Sequence, residues 1–314
     1  MKVSAARLIE HGAPLRVETV ELREPEKDEV LVEMSWGAVN PVDRYGAMGL
    51  TAPDGPVPRT LGSEGAGTVG GTRMLVHGAG LGTRRDGLWA TAAIVPRAAL
   101  TEVPEGVDLD QAATIGVAGA TAWTVVTELA RVTAEDRVLV LGASGGVGSM
   151  IVSLAKSIGA RVWGQTGNES NRDWLTDLGA EHVVVSDESH LETESGDLSP
   201  TVVFDALGNG YTGKAVAVAA QHGRLVIFGT SAGVTGELPL QAVYRKGLTI
   251  YGYGGLIAPE QNLARAKQQA IQAVAEGMMT VSVGATFSLA LVNDALEQQA
   301  GGSVKGKVLL DLRT

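Results

Sequence analysis

The sequence contains no cysteine. Disulfides, thiolate nucleophiles, iron–sulfur clusters and every zinc site built on sulfur are thereby excluded. Basic residues are outnumbered, 25 Lys and Arg against 35 Asp and Glu, for a formal charge of −10. Such a surface repels phosphate backbones and anionic headgroups, so neither nucleic acid nor membrane is expected as a partner. No uninterrupted apolar run reaches about 18 residues, and the opening Met1-Lys2-Val3-Ser4-Ala5-Ala6-Arg7 lacks the apolar core of a signal peptide. A cytoplasmic protein is the expectation. The five histidines, His11, His77, His182, His190 and His222, form no close ligand pair, so surface or capping roles are expected and no metal.

What is plentiful is glycine, 42 of 314 residues, beside only five Trp, five Tyr and three Phe. The first hundred residues read as short strands punctuated by Gly and Pro, at 16–21, 29–36, 65–69 and 90–96, with turns clustered over 40–58. From about Ala118 the texture changes to short apolar runs alternating with helical stretches, the pattern of β-α-β units around a buried parallel sheet. Runs at 137–141, 161–164, 182–185, 201–204, 224–228 and 248–251 predict six strands, with helices near 147–158, 171–178 and 211–220. Six such strands make a complete doubly wound dinucleotide fold. The tail reads as a helix over 259–276, a strand over 281–287, a helix over 292–299 and a strand over 307–312. It is too small to fold alone and is expected to complete the N-terminal part. The expected division is 1–116 with 252–314 as one domain and 117–251 as the other.

The strongest local signal is Gly142-Ala143-Ser144-Gly145-Gly146-Val147-Gly148, placed between a predicted strand and a predicted helix. Gly145 and Gly146 allow backbone N–H groups to approach phosphate oxygens. Gly148 allows close packing of helix on strand, and the helix N-terminus adds positive potential. Ser144, Gly145, Gly146, Val147 and Gly148 are therefore candidate cofactor contacts. An acid usually follows the next strand to accept from the ribose hydroxyls of NAD, but here the sequence reads Gly164-Gln165-Thr166-Gly167-Asn168. With Thr166 and Asn168 in that place and Arg172 able to bind a 2′-phosphate through paired hydrogen bonds, NADPH is the expected cofactor.

Several ordered motifs widen this picture: Gly37-Ala38-Val39-Asn40-Pro41-Val42-Asp43, Leu61-Gly62-Ser63-Glu64-Gly65-Ala66-Gly67, Gly119-Ala120-Thr121-Ala122-Trp123, Asp205-Ala206-Leu207-Gly208 and Gly306-Lys307-Val308. Together with the glycine loop they resemble the medium-chain dehydrogenase/reductase superfamily, in its zinc-independent quinone oxidoreductase and enoyl reductase branch, nearly end to end. The resemblance implies an α/β fold, a Rossmann doubly wound parallel sheet plus a GroES-like, mainly β catalytic domain made from both chain ends, with the active site in the cleft between them. The zinc alcohol dehydrogenases of that superfamily have a ligand cysteine where Asn40 stands, a relay hydroxyl where Val42 stands and a ligand histidine where Ser63 stands. Asp43 and Glu64, which support the metal in those relatives, are retained.

A metal-free, thiol-free site of this kind still delivers hydride to an electron-poor acceptor, a quinone or an α,β-unsaturated carbonyl. Negative charge then develops on the acceptor oxygen and needs a donor. The resemblance makes Asn40 the leading candidate; Tyr45, close by in sequence, is a candidate to hydrogen-bond substrate or supply a proton. The resemblance also places Thr121 near the nicotinamide ribose. Gly229, Thr230 and Ser231 follow the fifth predicted strand, at the carboxyl edge where nicotinamide binds in this architecture, and with Leu207 and with Lys307 near the last strand they are counted among the cofactor contacts; Ser63 is expected to bond Asp43. Many relatives carry a tyrosine shortly after the position of Gly49, where this chain has Leu50-Thr51, so no proton donation is transferred from it. An enoyl-thioester reductase and an NADPH-binding protein of low turnover are the alternatives. A homodimer is expected through the sixth strand.

Overall fold

A computed structural model describes residues 1–196 and 198–313. The chain divides into two compact units. One comprises Met1–Ala120, Pro259–Ala275 and the chain from Val281 to Arg313; the other comprises Thr121–Ala258 and Glu276–Thr280.

The second unit holds a six-stranded, all-parallel sheet. Its spatial order is His182–Val185, Arg161–Thr166, Arg137–Leu141, Val202–Asp205, Arg224–Ile227, Thr249–Gly252, which in chain order reads 3-2-1-4-5-6. The predicted strands stand within two residues of these bounds. They were readable because strands buried on both faces are nearly continuous apolar runs, as in Val138, Leu139, Val140 and Leu141, all fully buried. The order reverses between Arg137–Leu141 and Val202–Asp205, the switch point where open α/β sheets bind ligands at their carboxyl edge. The first of these strands ends at Gly142, with φ of +69°, and the chain re-enters helix Gly146–Ile158 four residues later.

The first unit is built on a seven-stranded sheet. Strand Glu29–Val39 pairs with Glu64–Val69, with Lys307–Asp311 and, through its first half, with Ala92–Pro96, all antiparallel. Val283–Ser288 extends the sheet beyond the tail strand, and Thr72–His77 and Leu100–Glu102 extend it beyond Glu64–Val69. The two tail strands thus lie in the sheet of the N-terminal residues. A smaller sheet joins Lys2–Leu8, Arg16–Glu21 and Arg59–Thr60.

Turns were expected over 40–58, yet Pro41–Ala47 is helical. Pro41 at its first position and Asp43 at its third are favourable starts: proline brings a preset φ, and the Asp43 carboxylate accepts from the Asn40 N–H at 2.9 Å. Among the described residues no helix is long and apolar enough to cross a membrane.

Candidate functional site

In the first unit the sheet register brings three distant residues together. Ala38 pairs with Glu64 and Val39 with Val308, so Asn40, at the end of the central strand, is flanked by the start of each neighbouring strand. On one side stands Glu64, on the other Lys307. All three are buried, at 3%, 0% and 4% exposure. The Asn40 Nδ2 donates to Glu64 Oε1 at 2.8 Å, and Lys307 Nζ donates to Asn40 Oδ1 at 2.5 Å and to Glu64 Oε1 at 3.1 Å. The other Glu64 oxygen accepts from Val117 N at 2.7 Å. Val117 lies in the wide-turned helical segment Ile115–Gly119; a side chain at Gly116 would stand 2.4 Å from His77 and 3.2 Å from Glu64, so glycine permits this approach.

Asp43 lies directly below, accepting from the backbone N–H groups of Asn40 and Ser63 at 2.9 Å each. Burial, helped by the Glu64 charge, pushes its carboxyl up to about 6 against those hydrogen bonds. The Ser63 backbone N–H makes the expected bond to Asp43, and the buried Ser63 hydroxyl beside it also acts to lower that carboxyl. His77 Nδ1 lies 2.8 Å from Ser63 O, and burial holds the imidazole below its usual range. Tyr45 stands outside this network, half-buried on the Pro41–Ala47 helix beneath the Arg44 guanidinium, 5.2 Å from its ring centre.

In the second unit the glycine loop forms a cradle. Helix Gly146–Ile158 has no side-chain cap at Gly145, so its first N–H groups remain for another acceptor. A Cβ on Gly148 would stand 2.3 Å from Gly142 O, whereas one on Gly145 would meet nothing nearer than that oxygen at 3.4 Å. Gln165 fixes the loop from behind. Its side-chain Oε1 accepts from Gly142 N at 3.0 Å, its carbonyl from Ala143 N at 2.9 Å, and its Nε2 donates to Ser186 O at 2.7 Å.

At the end of strand Arg161–Thr166, Thr166 Oγ1 lies 3.3 Å from Ser144 Oγ and accepts from Asn171 Nδ2 at 2.9 Å. Asn168 accepts from Ser170 N. Arg172 is turned onto exposed Glu169 through Nε and one Nη, and its other Nη donates to Val183 O at 3.0 Å. Leu207 backs the loop: a side chain on Gly142 would meet it at 3.1 Å. Its own turn is held by buried Asp205, which accepts from Leu207 N, Gly208 N and Thr212 Oγ1. Gly229-Thr230-Ser231 follows strand Arg224–Ile227, with Ser231 Oγ on Ala206 O at 2.9 Å. Thr121 lies beside Tyr253; burial pushes that phenol up, opposed by the hydroxyls of Thr124 and Thr121.

Comparison with known proteins follows this division. The sequence model of the zinc-binding dehydrogenase family matches residues 146–267. The chain is 29% identical to the probable acrylyl-CoA reductase AcuI of Escherichia coli, over 88% of this chain and 91% of that protein. It is 27% identical to quinone oxidoreductase-like protein 2 of Mus musculus, over 98% and 92%. Among solved structures, an NAD-dependent alcohol dehydrogenase superposes with a TM-score of 0.89 at 27% identity, covering 98% of this chain and 99% of that one. The chain belongs to the medium-chain dehydrogenase/reductase superfamily. It falls in the quinone and enoyl reductase branch, with a GroES-like first unit and a Rossmann second unit. The relatives named above are reductases and oxidoreductases by name. Similarity also extends to the mycocerosic acid synthase-like polyketide synthase of Mycobacterium tuberculosis, 28% identical over 92% of this chain. The chain spans only 14% of that synthase's length.

The residues fit a dinucleotide, since no side chain among the described residues caps the helix N-terminus at the cradle and glycine stands where a side chain would obstruct. They do not fit zinc. Among the described residues no group of three His, Cys, Asp or Glu is arranged to hold a metal ion. Asn40 and Ser63 offer an amide and a hydroxyl rather than an imidazole or thiolate, and the Asp43 and Glu64 carboxylates are committed to N–H donors and Lys307.

Sequence reasoning treated Glu64 and Asp43 as supporting remnants and gave no role to Gln165 and Asp205, though it quoted both within motifs. The Leu61-Gly62-Ser63-Glu64 motif carried the signal for Glu64. For Gln165 the available signal was a polar residue inside an apolar strand.

Proposed function

We propose that the chain is an NADPH-dependent, zinc-independent reductase that transfers hydride to a quinone or an α,β-unsaturated carbonyl, working as a soluble cytoplasmic homodimer. The observation that carries this reading is the buried Asn40 amide, held between Lys307 and Glu64 with one N–H left without a partner among the described residues.

Reduced nicotinamide, when bound, supplies the hydride. The acceptor carbon gains it, the conjugated π-electrons move onto the acceptor oxygen, and a proton completes the product. Asn40 is the donor to that oxygen, because an amide N–H stabilises the developing charge without a metal. Tyr45 is the candidate for a further hydrogen bond or the proton. In the cradle, Gly145, Gly146, Val147 and Gly148 hold the pyrophosphate, with Ser144 and Leu207 beside them. Thr121, Gly229, Thr230 and Ser231 serve the nicotinamide end.

NADPH is favoured by Thr166 and Asn168 where an acid would select NAD. Arg172 meets the 2′-phosphate by exchanging Glu169 for it; both side chains are exposed, and an exposed ion pair is weak enough to be displaced by a dianion. The acrylyl-CoA reductase and polyketide synthase similarities favour one second reading, in which the unsaturated acceptor is an enoyl thioester. For the dimer, the support is the edge strand Thr249–Gly252, with exposed Leu240, Tyr244, Leu256 and Ile257 on neighbouring segments.

The test is oxidation of NADPH, followed at 340 nm, with 1,4-naphthoquinone, methyl vinyl ketone and crotonyl-CoA, and NADH as control. Quinone or enone turnover with NADPH preference is expected. Preference for crotonyl-CoA selects the thioester reading; tight NADPH binding with no acceptor reduced defeats both in favour of a low-turnover binding protein.

A further inference from the structure

An asparagine amide can turn over with little change of shape, so its neighbours decide which end faces where. Those of Asn40 are not interchangeable. Lys307 is an ammonium, which only donates, 2.5 Å from Oδ1; Glu64 is a carboxylate, which only accepts, 2.8 Å from Nδ2. Reversal would set ammonium against NH2 and carboxylate against carbonyl oxygen. Glu64 is itself fixed by Val117 N on its other oxygen and by Lys307 on the shared one. Asn40 Nδ2 has two hydrogens; one goes to Glu64, and the second has no protein partner among the described residues.

We propose that Lys307 and Glu64 are positioning residues for the reduction, which together fix the Asn40 amide so that its second N–H is held as the donor to the acceptor oxygen. This rests on Asn40 being that donor. It also gives Lys307 a different task from the cofactor contact expected of it: at 4% exposure, its ammonium is engaged by Asn40 and Glu64. The charge next to Oδ1 polarises the amide and strengthens the N–H as a donor.

The test compares Asn40→Ala, Lys307→Met and their combination, using 1,4-naphthoquinone or crotonyl-CoA, whichever the wild type reduces. Removing one oxyanion donor typically lowers kcat about 10²–10³-fold, and that loss is expected for Asn40→Ala. Lys307→Met should lower kcat by about tenfold or more with both KM values nearly unchanged. The combined variant should be no slower than Asn40→Ala, because Lys307 acts only through that amide. Lys307→Met leaves Glu64 without its counter-charge, so Lys307→Met/Glu64→Gln, which removes both charges, serves as the second variant if the single one does not fold; it too should be slow.

Wild-type kcat in Lys307→Met beside a slow Asn40→Ala overturns the positioning role and leaves the Asn40 reading standing. So does a raised KM for NADPH at unchanged kcat, which would make Lys307 a cofactor contact, or losses that multiply in the combined variant. Normal turnover in Asn40→Ala removes the donor reading itself.

Discussion

Two glycines three residues apart are expected to fail in different ways when a methyl group is added. At Gly148 the new Cβ would lie 2.3 Å from Gly142 O, 2.9 Å from Ala143 Cα and 3.0 Å from Gly142 C. Ordinary contact needs about 3.5 Å or more between carbons, and the obstructing atoms are all backbone. Helix Gly146–Ile158 must then move off strand Arg137–Leu141 by roughly 1 Å. Overpacking costs about 1–3 kcal/mol, and at about 2–4 °C per kcal/mol the second unit should melt roughly 2–12 °C lower.

At Gly145 the φ of −78° suits any residue, and the nearest atom to a new Cβ is 3.4 Å away. Gly145→Ala should therefore melt within about 1 °C of wild type, yet crowd a phosphate that approaches the helix N-terminus and raise the Kd for NADPH about tenfold or more, some 1.4 kcal/mol. Calorimetry and titration of NADPH fluorescence separate the two effects. Unchanged melting of Gly148→Ala would refute the packing argument. Unchanged NADPH affinity in Gly145→Ala would refute the assignment of this loop as the phosphate cradle.

Three further outcomes are expected. Arg172→Ala should weaken NADPH binding far more than NADH binding, measured by parallel titrations; equal losses would remove Arg172 from the phosphate site. Burial pushes Lys267 down to about 8 from 10.5, and its ammonium donates to the carbonyls of His77 and Ala99; between those pH values the unfolded chain binds the extra proton, so stability rises with pH. Relative to Lys267→Met, wild type should gain about 3 kcal/mol in urea unfolding between pH 7.5 and 10.5, and a flat difference would sink the assignment. Sedimentation equilibrium should give twice the subunit mass, and Tyr244→Glu should lower it; a wild-type mass near one subunit would dispose of the dimer.

The parts of this protein most legible in sequence are those whose signal is local. Val138 to Leu141 is a strand because it is apolar throughout, and Gly142 to Gly148 declares its turn through residues adjacent in the chain. The strand Lys2–Leu8 passed unread: its sequence, KVSAARL, alternates weakly, and its pairing partners begin at Arg16 and Arg59. The site around Asn40 was legible by motif but not by arrangement. Lys307 lies 267 positions from Asn40, and only the pairing of Val308 with Val39 brings it to the amide. A family motif names such a lysine without saying which way its charge is spent. Arg172 was read for its type and position, while Glu169, three residues before it, determines where the guanidinium rests.

Charge in the core of the first unit explains why that lysine is needed. Glu64 is wholly buried and Asp43 lies beneath it, its carboxyl already raised to about 6. His77 cannot supply a lasting counter-charge, because burial keeps its imidazole below the usual range, and Lys267 faces carbonyl groups. Lys307 is the cation in contact with Glu64, and breaking a buried pair by removing one partner costs about 3–5 kcal/mol. The same pair that satisfies Glu64 determines the orientation of the amide between its members. An asparagine in this place is thus a neutral donor gripped at one end by a positive charge and at the other by a negative one. Its orientation costs nothing at the moment of reaction, which is the condition under which a single N–H contributes to stabilising a developing oxyanion.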